Sequence, residues 1–165
     1  MLEIVTLGGS QEAVLKEKTE AFDKVDDTTA ALAADMVETM RIGNGVGLAG
    51  PQVGLHKRIF VTEAPGDGVR IFINPEIIET SQEQVPYEEG CLSIPGVYAD
   101  VIRPATVTVQ ALNEKGKPFT IKAEGFLARV IQHEYDHLKG VLFIDHLPEK
   151  KKEKVLKIYE KRMRA

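Results

Sequence analysis

The stretch QHEYDHLKG, residues 132–140, holds His133, Glu134 and His137 in an H-E-x-x-H pattern. On a helix, two histidines four residues apart share one face, the spacing that two imidazoles need to grip one metal ion. A glutamate beside them is placed to move protons at that ion. A catalytic metal of this kind takes three protein ligands and keeps a further position open for water. The chain must therefore supply a third ligand from elsewhere.

Three places are candidates. The longer metalloprotease pattern H-E-x-x-H-x-x-G-x-x-H is followed as far as HEYDHLKGVLF, but its last position is Phe143, which binds no metal. A downstream glutamate could serve instead, and Glu149, Glu153 and Glu160 are available. All three lie in a lysine-rich segment that reads as a solvated helix surface. The third candidate is Cys91 within EGCLS, residues 89–93. A lone cysteine is most often a small buried hydrophobe. Here an H-E-x-x-H lacks a partner, thiolate is a strong ligand for zinc or ferrous iron, and Gly90 permits close backbone approach, so the residues favour Cys91.

These groups must be positioned by elements that the sequence also outlines. A helix is expected from about Thr28 to Ile42, capped by Asp27 or Thr28, lined by Leu32, Met36 and Met40, and ended by Gly43. Residues 11–20 suggest a shorter one. Strand-like runs follow at 58–64, 69–78, 105–112 and 117–125, with a hairpin turn at NEKG, 113–116. The period becomes helical from Gly125 to Lys139, with Gly140 as a stop signal. After the apolar run VLFI, a last helix is expected from Glu149 to Arg164, with Val155, Leu156, Tyr159 and Met163 as its apolar stripe. Strands in the middle and helices at the ends indicate an α+β fold.

With GVGLAGPQ, residues 45–52, the segments EGCLS and QHEYDHLKG resemble the three signature motifs of bacterial peptide deformylases, in the family's order. Gly50 stands where alanine is usual. Near the start, SQEAVLKE lacks the proline and arginine common in the family. The resemblance implies antiparallel sheets packed around a central helix that carries H-E-x-x-H, with a C-terminal helix. It implies hydrolysis of the N-formyl group from formyl-methionine on nascent polypeptides. Cys91, His133 and His137 would then hold one divalent metal, Fe2+ as the native ion with Zn2+ or Ni2+ as substitutes. Glu134 would be the general base. The Gln52 side-chain amide and the Leu92 backbone N–H would stabilise the oxyanion. For Gln52, a loop glutamine bonded to its own backbone is the plain alternative. Val46, Phe126 and Val130 match the methionine pocket, with core packing as their bland reading, and Arg129 departs from the apolar residue many members carry, at the pocket rim. Gly47 and Gly90 would leave room for an extended peptide. Glu89 and Arg103 match a charged pair supporting the metal loop, against a surface salt bridge as the alternative. His56 and His146 fall outside the motifs and read as structural or exposed.

The bulk numbers bound the reading. The chain has 165 residues, 43% hydrophobic and 28% charged, as expected for one globular domain over 1–165. No apolar run approaches a membrane span, and the N-terminus lacks a basic segment followed by an apolar one, so neither membrane insertion nor export is expected. A single cysteine fits the reducing cytoplasm. Gly45, Gly47 and Gly50 spell G-x-G-x-x-G, but a helix precedes them and Pro51 follows, so no nucleotide cofactor is expected. Charge is uneven: residues 149–164 carry +5 and the remainder −9. The basic C-terminal helix, 149–165, suits a polyanionic partner, the ribosome by resemblance, or a solvated helix face. Two other classes stand beside the hydrolase: a general zinc peptidase using a glutamate ligand, and a metal-stabilised binding module without activity.

Overall fold

The computed structural model describes residues 2–164. Its first long element, α1 (Asp27–Ile42), starts at Asp26, whose carboxylate accepts from the backbone N–H groups of Thr28 and Thr29, while the Thr29 hydroxyl reaches back to the Asp26 N–H. The cap thus lies one residue before the expected Asp27, because only Asp26 has the extended backbone that aims its side chain at the first turn. Met36 and Met40 are fully buried as expected, and Gly43 closes the helix. The expected helix over 11–20 shrinks to one 3-10 turn, Glu12–Lys16, because the chain then extends to bridge Glu20 to Lys57.

The strands are β1 (Gly47–Ala49), β2 (Ile59–Ala64), β3 (Gly68–Thr80), β4 (Gln84–Cys91), β5 (Ile94–Pro104), β6 (Thr106–Leu112) and β7 (Pro118–Glu124). One antiparallel sheet has the order β1-β2-β3-β6-β7, and β4 pairs with β5 in a separate antiparallel ribbon. In β6 the apolar Val107, Val109 and Ala111 point inward while Thr108 and Gln110 alternate away, the period of a half-buried strand. Gly116 takes φ +76 in the β6–β7 turn, the conformation that NEKG calls for. Both β4 and β5 lie in a region with no expected strand.

Helix α2 (Gly125–His137) carries H-E-x-x-H and packs on the large sheet through Ala128, Ile131 and the following Leu138. It ends at His137 rather than Lys139, and Gly140 turns the chain away with φ +76. Helix α3 (Glu149–Arg164) has the expected limits, but its stripe is narrower. Tyr159 is buried and its hydroxyl donates to the Leu7 carbonyl, whereas Met163 is exposed. Three apolar cores result, among them Met36, Met40, Leu48, Ile59, Val61 and Ile73 between α1 and one face of β1–β3. Phe60, Phe72, Val107, Val109, Ala128 and Ile131 lie between the large sheet and α2. Ile94, Val97, Val101, Leu142, Phe143 and Tyr159 join the β4–β5 ribbon to the N-terminal segment and α3.

Candidate metal centre

Cys91 ends β4, at a register break that places it opposite Ile94, while His133 and His137 lie one turn apart on α2. The fold brings one donor atom from each within 4.8 Å of one another. Cys91 Sγ lies 3.5 Å from His137 Nε2, close to the about 3.6 Å separating sulfur and nitrogen ligands of one tetrahedral ion. The donor set therefore fits a borderline divalent metal. Glu149, Glu153 and Glu160 are exposed along α3, which removes the alternative third ligands.

Each ligand is held by a different device. His133 Nδ1 is 2.8 Å from Glu89 Oε1, which leaves Nε2 for the metal, the usual orientation of a metal-bound imidazole. His137 is almost fully buried, and its Nδ1 has no hydrogen-bond partner among the described residues. Burial, reinforced by the charge of His133, pushes His137 well below its ordinary pKa and keeps it neutral, as ligation requires. Burial acts on His133 in the same direction, but Glu134, Cys91 and Glu89 hold it well above its ordinary value.

Glu134 is 4% exposed, and its Oε1 has no hydrogen-bond partner among the described residues. Burial raises its carboxyl to about 7, near the operating pH that suits a general base. Gln52, in the 3-10 turn Gly50–Val53, is buried. Its Oε1 accepts from the Ala49 N–H at 3.0 Å, the self-bonded arrangement weighed above. That bond turns Nε2 towards Ser93 Oγ at 3.2 Å and Cys91 Sγ at 3.4 Å, so backbone bonding and a donor facing the centre coexist.

A cleft of about 420 Å³ opens on the centre. Val46, Gly47, Gly90, Leu92, Phe126 and Val130 all line it, together with Tyr98. Val130 is buried and Phe126 is partly exposed, so the second serves the cleft more than the core. Gly90 lets the Tyr98 ring lie close over the backbone, since a β-carbon there would meet the ring at 2.5 Å and push it aside.

Glu89 and Arg103 do not form a surface salt bridge. Both are almost fully buried, and Arg103 grips Glu89 through Nε at 2.6 Å and Nη2 at 3.0 Å. Burial works against the charged form of Glu89, but His133 and Arg103 override it and hold the carboxyl far below its usual range. Arg103 Nη1 also reaches Asp136 Oδ2, which His146 Nε2 approaches at 2.7 Å. His146 thus has a structural place in this network. Arg129 touches the cleft, but it is 6% exposed rather than at the rim, bound to Glu89 and to the carbonyls of Val85 and Val101. Its enclosure was missed in the sequence, since those partners are remote along the chain.

No described helix is long and apolar enough to cross a membrane. The sequence model of the polypeptide deformylase family matches residues 1–153. The chain is 53% identical over 146 residues to peptide deformylase 1 of Clostridium perfringens, covering 88% of this chain and 99% of that protein. It is 53% identical over 147 residues to the peptide deformylase of Borreliella burgdorferi, covering 88% and 89%. The crystal structure of peptide deformylase from Ehrlichia chaffeensis in complex with actinonin superposes with a TM-score of 0.92 at 40% identity, covering 100% of this chain and 99% of that one. With a Cys-His-His donor cluster, a buried glutamate and an overlooking glutamine in that fold, this chain belongs to the polypeptide deformylase family.

Proposed function

We propose that this chain removes the formyl group from formyl-methionyl peptides through one divalent metal held by Cys91, His133 and His137. The observation that supports this most is the convergence at one cleft of a thiol, two imidazoles and a buried carboxylate oxygen that has no partner among the described residues. When bound, the ion supplies Lewis acidity, lowering the pKa of water to about 7 and polarising the formyl carbonyl. Glu134 takes the proton of the attacking water at its free carboxylate oxygen and passes it to the departing amine nitrogen. Gln52 Nε2 and the Leu92 backbone N–H donate to the oxyanion forming on the formyl oxygen, a contribution of about 10²–10³ in kcat per donor. The products are formate and a free amino terminus.

The methionine side chain is taken up by Val46, Phe126 and Val130, an apolar surface that suits a flexible thioether. The rest of the peptide extends along β1, which ends the strand order of the large sheet and pairs with β2 on one side. Gly47 and Gly90 give the peptide backbone its room. Main-chain pairing of this kind accepts many sequences after methionine. Fe2+ is the native ion in this reading, with Zn2+ or Ni2+ as substitutes, since a thiolate with two imidazoles suits each. The work is done in the cytoplasm by a single domain, residues 1–165. The basic surface of α3, on which Tyr159 is the buried residue, suits docking on ribosomal RNA, with binding that weakens as salt rises.

The test is formate release from a formyl-Met-Ala peptide by protein loaded with Fe2+ under anaerobic conditions, with acetyl-Met-Ala as the comparison. Rapid release from the formyl peptide alone is expected, and actinonin should block it. Folded, metal-loaded protein that releases no formate would overturn the proposal.

A further inference from the structure

The metal ligands come from two separately packed parts of the molecule. Helix α2, with His133 and His137, is built into the core of the large sheet. Cys91 packs with a different core, which holds the β4–β5 ribbon against α3 and the N-terminal segment. The site is a seam, and its geometry is only as good as whatever ties the ribbon to α2.

Those ties are polar and buried. Arg103 on β5 reaches Asp136 on α2, Gln132 Nε2 donates to the Pro104 carbonyl, and His133 meets Glu89. Arg129 adds three more from one side chain. Its Nη1 donates to Glu89 Oε2 and to the Val101 carbonyl, each at 2.8 Å, and its Nη2 donates to the Val85 carbonyl at 2.7 Å. One guanidinium on α2 therefore grips a backbone carbonyl on each strand of the ribbon, plus the carboxylate that orients His133. Arg129 lies one helical turn before His133 on the same face, and Glu89 lies two residues before Cys91. The Arg129–Glu89 pair thus spans the same seam that the metal spans. Arg103 already makes a two-bond grip on Glu89 from within the ribbon, so Arg129 contributes chiefly the crossing to α2.

We propose that Arg129 is a positioning residue that holds the Cys91-bearing ribbon against α2, so that the thiol and the two imidazoles are set at bonding separation before metal arrives. This rests on the reading of Cys91, His133 and His137 as the ligands.

The test is Co2+ titration of the metal-free full chain against a competing chelator, following the thiolate-to-cobalt absorption band, with far-UV circular dichroism to confirm folding. Arg129→Met removes the clamp. Arg129→Lys keeps the charge without the planar fork and decides the matter where the methionine variant does not fold. Both are expected to bind Co2+ about 10–100-fold more weakly, the usual loss for a residue supporting a ligand, with a shifted thiolate band. A folded variant with the parent's affinity and spectrum would overturn the clamp and leave Arg129 a purely structural residue. In Cys91→Ser the band should vanish and affinity should fall. A parent without any thiolate band would instead overturn the ligand assignment, which separates the two failures.

Discussion

Gly47 and Glu134 stand so close that a β-carbon on residue 47 would lie 2.5 Å from Glu134 Oε2 and 2.9 Å from its carboxyl carbon. The glycine on β1 is thus the wall against which the Glu134 carboxylate rests. Gly47→Ala should leave the fold intact, because the clashing atoms end a side chain and can swing away. The displaced carboxylate then loses its position relative to the attacking water. We expect kcat to fall by about 10²-fold or more, within the range of general-base catalysis, with metal content unchanged. Steady-state formate release on metal-quantified protein checks this, and parent-level kcat would show that Glu134 adapts.

Glu134→Gln keeps the shape of the side chain and removes its basicity. The metal donors Cys91, His133 and His137 are untouched, so the variant should hold a full equivalent of metal. Turnover should fall by about 10²–10⁴-fold, the contribution of a positioned base. Metal analysis beside formate release tests both halves. Loss of metal along with activity would mean that Glu134 itself ligates.

Glu89 links stability to pH. Its folded pKa is held far below the ordinary carboxylate value by His133 and Arg103 against the opposing effect of burial. A depressed folded pKa means that the ion pair's contribution is complete above the unfolded value of about 4.3 and is lost as pH falls below it towards the folded value. Glu89→Gln leaves Arg103 and Arg129 facing a neutral amide and should cost about 3–5 kcal/mol at pH 7. In urea unfolding of metal-free protein, the gap between parent and variant should be widest at about pH 5–6, where Glu89 is ionised and His133 is charged in both folded and unfolded parent, and should narrow in more acid solution. A gap that widens there would reverse the assigned sign.

The parts read correctly in the sequence are those whose signal is local. H-E-x-x-H declares its own helix, and β6 and β7 alternate apolar with polar residues over most of their length. The β4–β5 ribbon has no such signal. Pro86, Gly90, Pro95 and Gly96 interrupt it, and much of its surface, including Tyr87, Tyr98 and Ile102, faces outward. Its pairing is set by a partner strand and by a separate core, which no short window contains. Strand β1 has three residues, too few for a period. Cys91, by contrast, was reachable by elimination, since two histidines demanded a third donor. The enclosure of Arg129 was not, because its acceptors Val85, Glu89 and Val101 lie 28 to 44 residues away.

Gly50 stands where the family usually has alanine, and its surroundings account for the difference. A β-carbon there would meet the Lys57 carbonyl oxygen at 2.8 Å, with Ile59 Cγ2 and the Leu55 carbonyl oxygen each at 3.3 Å. The first obstacle is backbone that cannot swing aside, because Leu55 N–H donates to the Gly50 carbonyl and Lys57 is bridged to Glu20. Gly50→Ala should therefore destabilise the protein by about 1–3 kcal/mol, as overpacking does. No metal donor comes from this segment, so metal content should stay full. Gln52 lies two residues on in the same 3-10 turn, so any shift of that turn should lower kcat rather than raise KM. Thermal unfolding and kinetics at equal metal occupancy check this. A Tm at or above the parent's would show that the 55–57 backbone yields, and that glycine is tolerated at residue 50 rather than required.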